Sequence, residues 1–192
     1  MLSNLIKNFN SSSEVSNATP YLEFKSDATM SITPNYTNSG ITLQYSLDTV
    51  NWTTIGSGIS TPSASTIYFR GEATNKKSLY TTILTSNAWT FTGATNLEVY
   101  GKFDRLIQDS LGGNNDILSI DDFCFAHMFN GVSSLIYIDY DCLPATTLAN
   151  YCYSFMFRGC SSLTTAPSLP AITLANNCYR YMFNGCTSLS TA

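Results

Sequence analysis

Charge is what this sequence has least of. Its 192 residues include 9 Lys and Arg against 13 Asp and Glu, 11% in all, roughly half the ~25% of an average soluble domain. No basic run exceeds the pair Lys76 and Lys77, so the counterion release that drives nucleic-acid binding has no basis, and nucleic acid is excluded as an expected partner. Histidine is nearly absent too, with His127 alone. The cysteines fall in none of the CxxC spacings, which argues against a zinc site. No apolar stretch approaches the ~20 residues that span a bilayer, so membrane insertion is not expected. Residues 1–10 hold one Lys and no apolar run followed by a small-residue cleavage site, which reads as no signal peptide and as synthesis in the cytoplasm. Walker, GxSxG and HExxH motifs are missing. The expectation is a non-enzymatic chain with no cofactor. Its surface, short of charge, must be built from Ser, Thr and Asn, as is common on exported or virion-borne β proteins.

Aromatic residues are plentiful, at 13%, and many fall in an internal repeat. Residues 143–166 read LPATTLANYCYSFMFRGCSSLTTA and residues 169–192 read LPAITLANNCYRYMFNGCTSLSTA, a spacing of 26 residues. A degenerate copy, FCFAHMFNGVSSL, occupies 123–135, where Met128, Phe129, Gly131 and Leu135 match Met156, Phe157, Gly159 and Leu163. The two good copies differ in their central segment at Tyr151/Asn177, Ser154/Arg180, Phe155/Tyr181 and Arg158/Asn184. That spacing, i, i+3, i+4, i+7, predicts one face of a short α-helix, variable because packing does not constrain it. The unchanged Cys152, Met156, Phe157, Cys160 and Leu163 are the predicted core. Each unit then reads as helix, glycine turn and a brief extended stretch at 163–166, with Pro144 and Pro170 at the entry to the next unit.

Upstream the pattern changes. Between 21 and 70 the runs YLEF, SITP, ITLQYSL, WTTI and TIYFR, separated by Asn, Ser, Gly and Asp, predict a small antiparallel β-sandwich. A further strand pair is predicted at Thr90–Phe91 and 97–102. The fold class read from sequence is therefore α+β: residues 1–19 an N-terminal arm, 20–77 the sandwich, 78–120 a transition segment capping the solenoid, and 121–192 the repeats, expected to continue past Ala192 or to be covered there by a partner, because a solenoid end needs cover. In the arm, Leu2, Leu5, Ile6 and Phe9 are candidate anchor contacts at helical spacing.

Cys124, Cys152 and Cys178 share one repeat column; Cys160 and Cys186 share another, where Val132 stands in the first copy. Exchange with Val marks a small apolar position, so free buried thiols are expected. His127 aligns with Phe155 and Tyr181 and is expected at the surface. Asp121 and Asp122 precede the first repeat, where a helix start would use them as caps. The candidate contact face is Tyr151, Ser154, Phe155, Arg158, Asn177, Arg180, Tyr181 and Asn184, rings and donors suited to a glycan or protein; a purely solvated outer face is the plain alternative.

The strings CYSFMFRGCSSLTTAPSLPA and CYRYMFNGCTSL resemble BspA-like leucine-rich-repeat surface proteins, over about 121–192. LQYSLDTVNWTTI and IYFRG resemble the small β domain that often precedes such repeats in gut-bacterial and phage proteins. The resemblance implies a surface adhesin without catalytic residues. Together with the expected lack of an export signal, it implies a virion surface protein of a tailed bacteriophage, a head fibre, tail fibre or decoration protein, homo-oligomeric by analogy with fibres. Its N-terminal part would dock on other virion proteins and its repeats would meet a host-surface glycan or protein. Two rivals stay open: a bacterial cell-surface BspA-like adhesin, and a glycan-degrading enzyme on the β-rich region with carboxylates about 5 to 9.5 Å apart.

Overall fold

The computed structural model describes residues 19–82 and 88–190. Strands form where apolar and polar residues alternate. β1 (Leu22–Thr33), β2 (Ile41–Ser46), β3 (Thr53–Ile55), β4 (Ala64–Ala73), β5 (Thr90–Thr92) and β6 (Leu97–Tyr100) come from the upstream region, and β7 (Leu135–Ile138) from the first repeat. The sheet order is β3-β2-β4-β1-β6-β7, with β5 pairing on the far end of β1. Neighbours are antiparallel except β6 and β7, which run parallel with Leu97 opposite Leu135. The sheet therefore continues into the repeats.

Alternation sets the two faces. Leu22 and Phe24 of β1, Ile67 and Phe69 of β4, and Leu97 and Val99 of β6 are buried, each burial worth about 1.5–3 kcal/mol for a large side chain. Their partners Glu23, Lys25, Tyr68, Arg70, Glu98 and Tyr100 project the other way and are half-buried or exposed. The expected sandwich is corrected here: there is one mixed sheet, not two packed antiparallel ones. What covers its inner face is the first repeat. Phe24 lies 6.4 Å from Phe129, Phe91 lies 5.4 Å from Phe129, and Trp89 fills the space beside Phe69 at 5.2 Å. These rings supply the apolar area a second sheet would have supplied, in one core that runs from β1 to the last repeat.

Near one end of the sheet a 3-10 turn, Phe103–Leu106, crosses β4 at Gly71. A Cβ on Gly71 would stand 2.1 Å from the Leu106 carbonyl oxygen, so the close approach requires glycine. Arg105 is buried beside it. Its guanidinium donates to Asp104 Oδ1 (2.9 Å), the Asn115 carbonyl (3.0 Å), Asp116 Oδ1 (3.3 Å) and the Thr19 carbonyl (3.0 Å). A buried charge survives folding only when so fully partnered.

The repeats contain no α-helix among the described residues, which corrects the helix-plus-strand units and with them the α+β class; the fold is nearly all β and turn. Residues 122–132, 150–160 and 176–186 are strings of overlapping turns, here coils 1, 2 and 3. In coil 2 the N–H groups of Ser154, Met156, Arg158 and Cys160 donate to carbonyls three residues back, at 3.1–3.2 Å. The N–H groups between them, of Tyr151, Tyr153, Phe155, Phe157 and Gly159, donate to coil 3 at Asn176, Cys178, Arg180, Met182 and Asn184, at 2.8–3.1 Å. Every other amide thus closes its own turn and the alternate ones join coils, so the backbone is satisfied without helix or strand.

This geometry places every fourth residue at positive φ: Phe123, His127 and Gly131, then Tyr151, Phe155 and Gly159, then Asn177, Tyr181 and Gly185, with φ from 51° to 83°. The four-residue turn period accounts for the helix-like spacing of the variable positions. Positions 151 and 155 share a face because each starts a turn, and a period of 4 over two turns is close to the 3.6 of a helix.

Candidate binding face of the stacked coils

Stacking at the repeat spacing turns equivalent side chains into columns. On the inner side Phe129, Phe157 and Phe183 lie at centroid separations of 5.6 and 5.7 Å, and Phe125, Tyr153 and Tyr179 at 6.0 and 5.9 Å. Cys152, Met156, Phe157, Cys160 and Leu163 are fully buried. All six cysteines are free and buried; Cys160 Sγ donates to the Phe129 carbonyl and Cys186 Sγ to the Phe157 carbonyl, at 3.2 and 3.0 Å. Burial pushes the Cys152 thiol up to about 12, so it stays protonated and inert as a nucleophile.

The outer columns carry the candidate contact residues. His127 and Phe155 stack nearly parallel at 4.6 Å, and Phe155 meets Tyr181 at 5.4 Å. Phe123 stacks on Tyr151 at 5.7 Å, with Asn177 next in that column. Arg180 holds its guanidinium 5.3 Å from the Tyr181 centroid and 5.8 Å from Phe155, and Arg158 stands 5.7 Å from Phe155. These are cation–π distances. Neither arginine has a carboxylate partner among the described residues, so in a chain of net charge −4 this face is locally cationic.

Tyr181 is 54% exposed; Arg158, Asn177, Arg180 and Asn184 are exposed, and Tyr151 and Phe155 are half-buried. Two residues sit otherwise than expected. Ser154 is buried, aligned between Ala126 and Arg180, and its Oγ reaches the Arg180 carbonyl at 3.3 Å. Only a small side chain fits where another coil stacks on top. His127, expected at the surface, is 4% exposed: Phe155 covers one ring face and Asn130 Nδ2 donates to Nδ1 at 3.1 Å. Burial, helped by Arg158, holds its pKa below 6.5 and so favours the neutral imidazole. Phe123 and His127 complete the columns but were not among the expected contact residues; the 28-residue offset of the first copy is the signal that aligns them.

Asp121 and Asp122 cap no helix. Asp121 accepts the Lys77 N–H at 2.7 Å, and Asp122 accepts the Asn150 N–H at 2.8 Å, a bond repeated when Asn150 accepts the Asn176 N–H at 3.1 Å. The candidate anchor residues Leu2, Leu5, Ile6 and Phe9 lie outside the described residues. Compared with models of known families, with curated proteins and with solved structures, the chain matches none.

Proposed function

We propose that this chain is a non-enzymatic surface-attachment protein, a fibre or decoration component of a tailed bacteriophage particle, that meets its host through the outer columns of the coils. One observation carries the reading: rings recur at the same position of successive coils, Phe155 lying 5.4 Å from Tyr181, and two guanidiniums with no carboxylate partner among the described residues, Arg158 and Arg180, flank them at 5.3–5.8 Å. Tyr181, Phe155 and Arg180 together offer area at low entropy cost and a fixed positive charge. Such a face suits a surface bearing acidic groups. The virion setting rests on the resemblance of the repeats to BspA-like surface proteins and on the hydroxyl-rich, weakly charged composition.

The double variant Phe155→Ala, Tyr181→Ala is expected to lower attachment of the purified protein to host cells, read by flow cytometry with labelled protein. Attachment at the wild-type level would discard this face. Detection of the chain in purified particles supports the virion setting; detection on cells free of particles would replace it with a cell-surface adhesin.

A further inference from the structure

The outward face of the sheet carries a second set of rings, unconnected with the coils. Tyr21 stands 6.0 Å from Trp52 and 5.2 Å from Tyr68; farther across, Tyr100 and Tyr137 lie 5.2 Å apart. Glu23 of β1 sits between the two groups, in register with Tyr68 on one side and Tyr100 on the other. At the Trp52 end Arg70 lies 4.1 Å above the indole and donates through Nε to Gln44 at 2.8 Å. At the other end the Tyr100 hydroxyl donates to Glu98 at 2.9 Å and the Tyr137 hydroxyl to Asp139 at 3.0 Å.

Three features describe what would fit. The outward positions of β1, β4 and β6 along this row carry aromatic, hydroxyl or charged side chains and no aliphatic one, whereas a protein partner calls for an apolar centre. Glu23 accepts no hydrogen bond among the described residues, although burial raises its pKa; the Tyr21 and Tyr68 hydroxyls likewise have none. Carboxylates also outnumber cations here, Glu23, Glu98 and Asp139 against Lys25 and Arg70, which repels an anionic ligand. Ring faces flanked by unsatisfied acceptors and donors match a sugar, whose apolar C–H face stacks while its hydroxyls donate and accept.

We propose that this face binds a neutral oligosaccharide laid across β4, β1, β6 and β7, a row about 14 Å wide at the usual strand spacing. Tyr68 and Tyr100 stack on successive rings, Glu23 accepts hydroxyls between them, and Trp52 with Arg70 closes one end.

Hexasaccharides of gluco, manno and galacto configuration, with oligogalacturonate as the acidic control, are titrated into the full chain by calorimetry and by tryptophan emission. At least one neutral probe is expected to bind, more tightly than the acidic one. Tyr68→Ala and Trp52→Ala are each expected to weaken it about tenfold, with Trp52→Phe restoring part of the loss. The Phe155→Ala, Tyr181→Ala protein should bind the sugar normally, so that failure here and failure of the coil face are told apart. Should Tyr68→Ala not fold, Tyr21→Ala, whose residue precedes β1, carries the same expectation. Binding of no neutral probe, preference for the acidic one, or full affinity in the ring variants overturns the proposal.

Discussion

Gly159→Ala tests the left-handed backbone of the turn string by the sign of its effect. Gly159 has φ 75°, and a Cβ added there would stand 3.5 Å from Gly131 Cα, an ordinary contact. No clash enters, so the backbone alone sets the cost: about 1–2 kcal/mol for an L residue in the left-handed region. Alanine also narrows the unfolded ensemble, which returns about 0.4–1 kcal/mol. The net loss is about 1 kcal/mol, a fall of about 2–4 °C in Tm for a chain of this length. Were Gly159 at negative φ, the same substitution would instead gain about 0.4–1 kcal/mol and raise Tm. Thermal unfolding followed by circular dichroism reads the difference. Gly131→Ala, at φ 83° with nothing within 4 Å of the added Cβ, is the internal replicate. An unchanged or raised Tm in both variants would refute the turn geometry.

The His127 imidazole is held below its ordinary 6.5, so the folded chain binds a proton less readily than the unfolded one; stability is complete above about pH 6.5 and declines as pH falls below it. His127→Phe should flatten that decline in urea midpoints measured between about pH 7.5 and pH 5, and parallel profiles for the two proteins would contradict the assignment. Amide hydrogen exchange should find the N–H groups of Tyr151, Tyr153, Phe155, Phe157 and Gly159, bonded to the next coil, slower than those of Asn177, Tyr179, Tyr181, Phe183 and Gly185, which meet no backbone acceptor among the described residues; equal rates would break the ladder scheme. A fragment of residues 121–192 should show no cooperative unfolding transition, because Phe129 loses Phe24 and Phe91; a sharp transition would make the repeats self-sufficient.

Side-chain burial was legible in the sequence where one residue decides it locally. The alternation at Ile41, Leu43 and Ile55, and at Ile67 and Phe69, gives β2, β3 and β4 their inner face. Identity between repeat copies picks out Cys152, Met156, Phe157, Cys160 and Leu163 as interior, since a position that stacks on its own copy accepts little change. Backbone conformation was hidden. Tyr151 and Phe155 sit at positive φ, which side-chain identity does not announce as glycine does. The missing second sheet was hidden for another reason: Phe129 packs on Phe24 from over a hundred positions away, and nothing local marks that contact. Ser154 reads as variable only because the coil after it carries Arg180, while the size limit at Ser154 comes from the stack above it. The ring row on the sheet was within reach, since Tyr21 and Glu23, Tyr68 and Arg70, and Glu98 and Tyr100 each sit two apart at outward positions.

The hydrogen bonding of the coils gives the stack a direction, and that direction binds the sheet to it. Coils 1 and 2 each donate N–H groups toward the coil that follows, so coil 1 is left presenting carbonyls on its first edge. A carbonyl edge needs donors. The chain between β4 and β5 supplies them: Leu79 N–H to Cys124 at 3.1 Å, Trp89 N–H to Met128 at 2.9 Å, and Ser78 Oγ to the Asp122 carbonyl at 2.9 Å. Trp89 then turns its ring onto Phe24 and Phe69 and donates its indole N–H to the Asn35 carbonyl at 3.1 Å, so the residue that ends the ladder also fills the core of the sheet. β7 makes the reciprocal link, leaving the first repeat to extend the sheet beside β6. The cationic face of the coils and the acidic ring row of the sheet are therefore joined, among the described residues, by packed rings and backbone bonds.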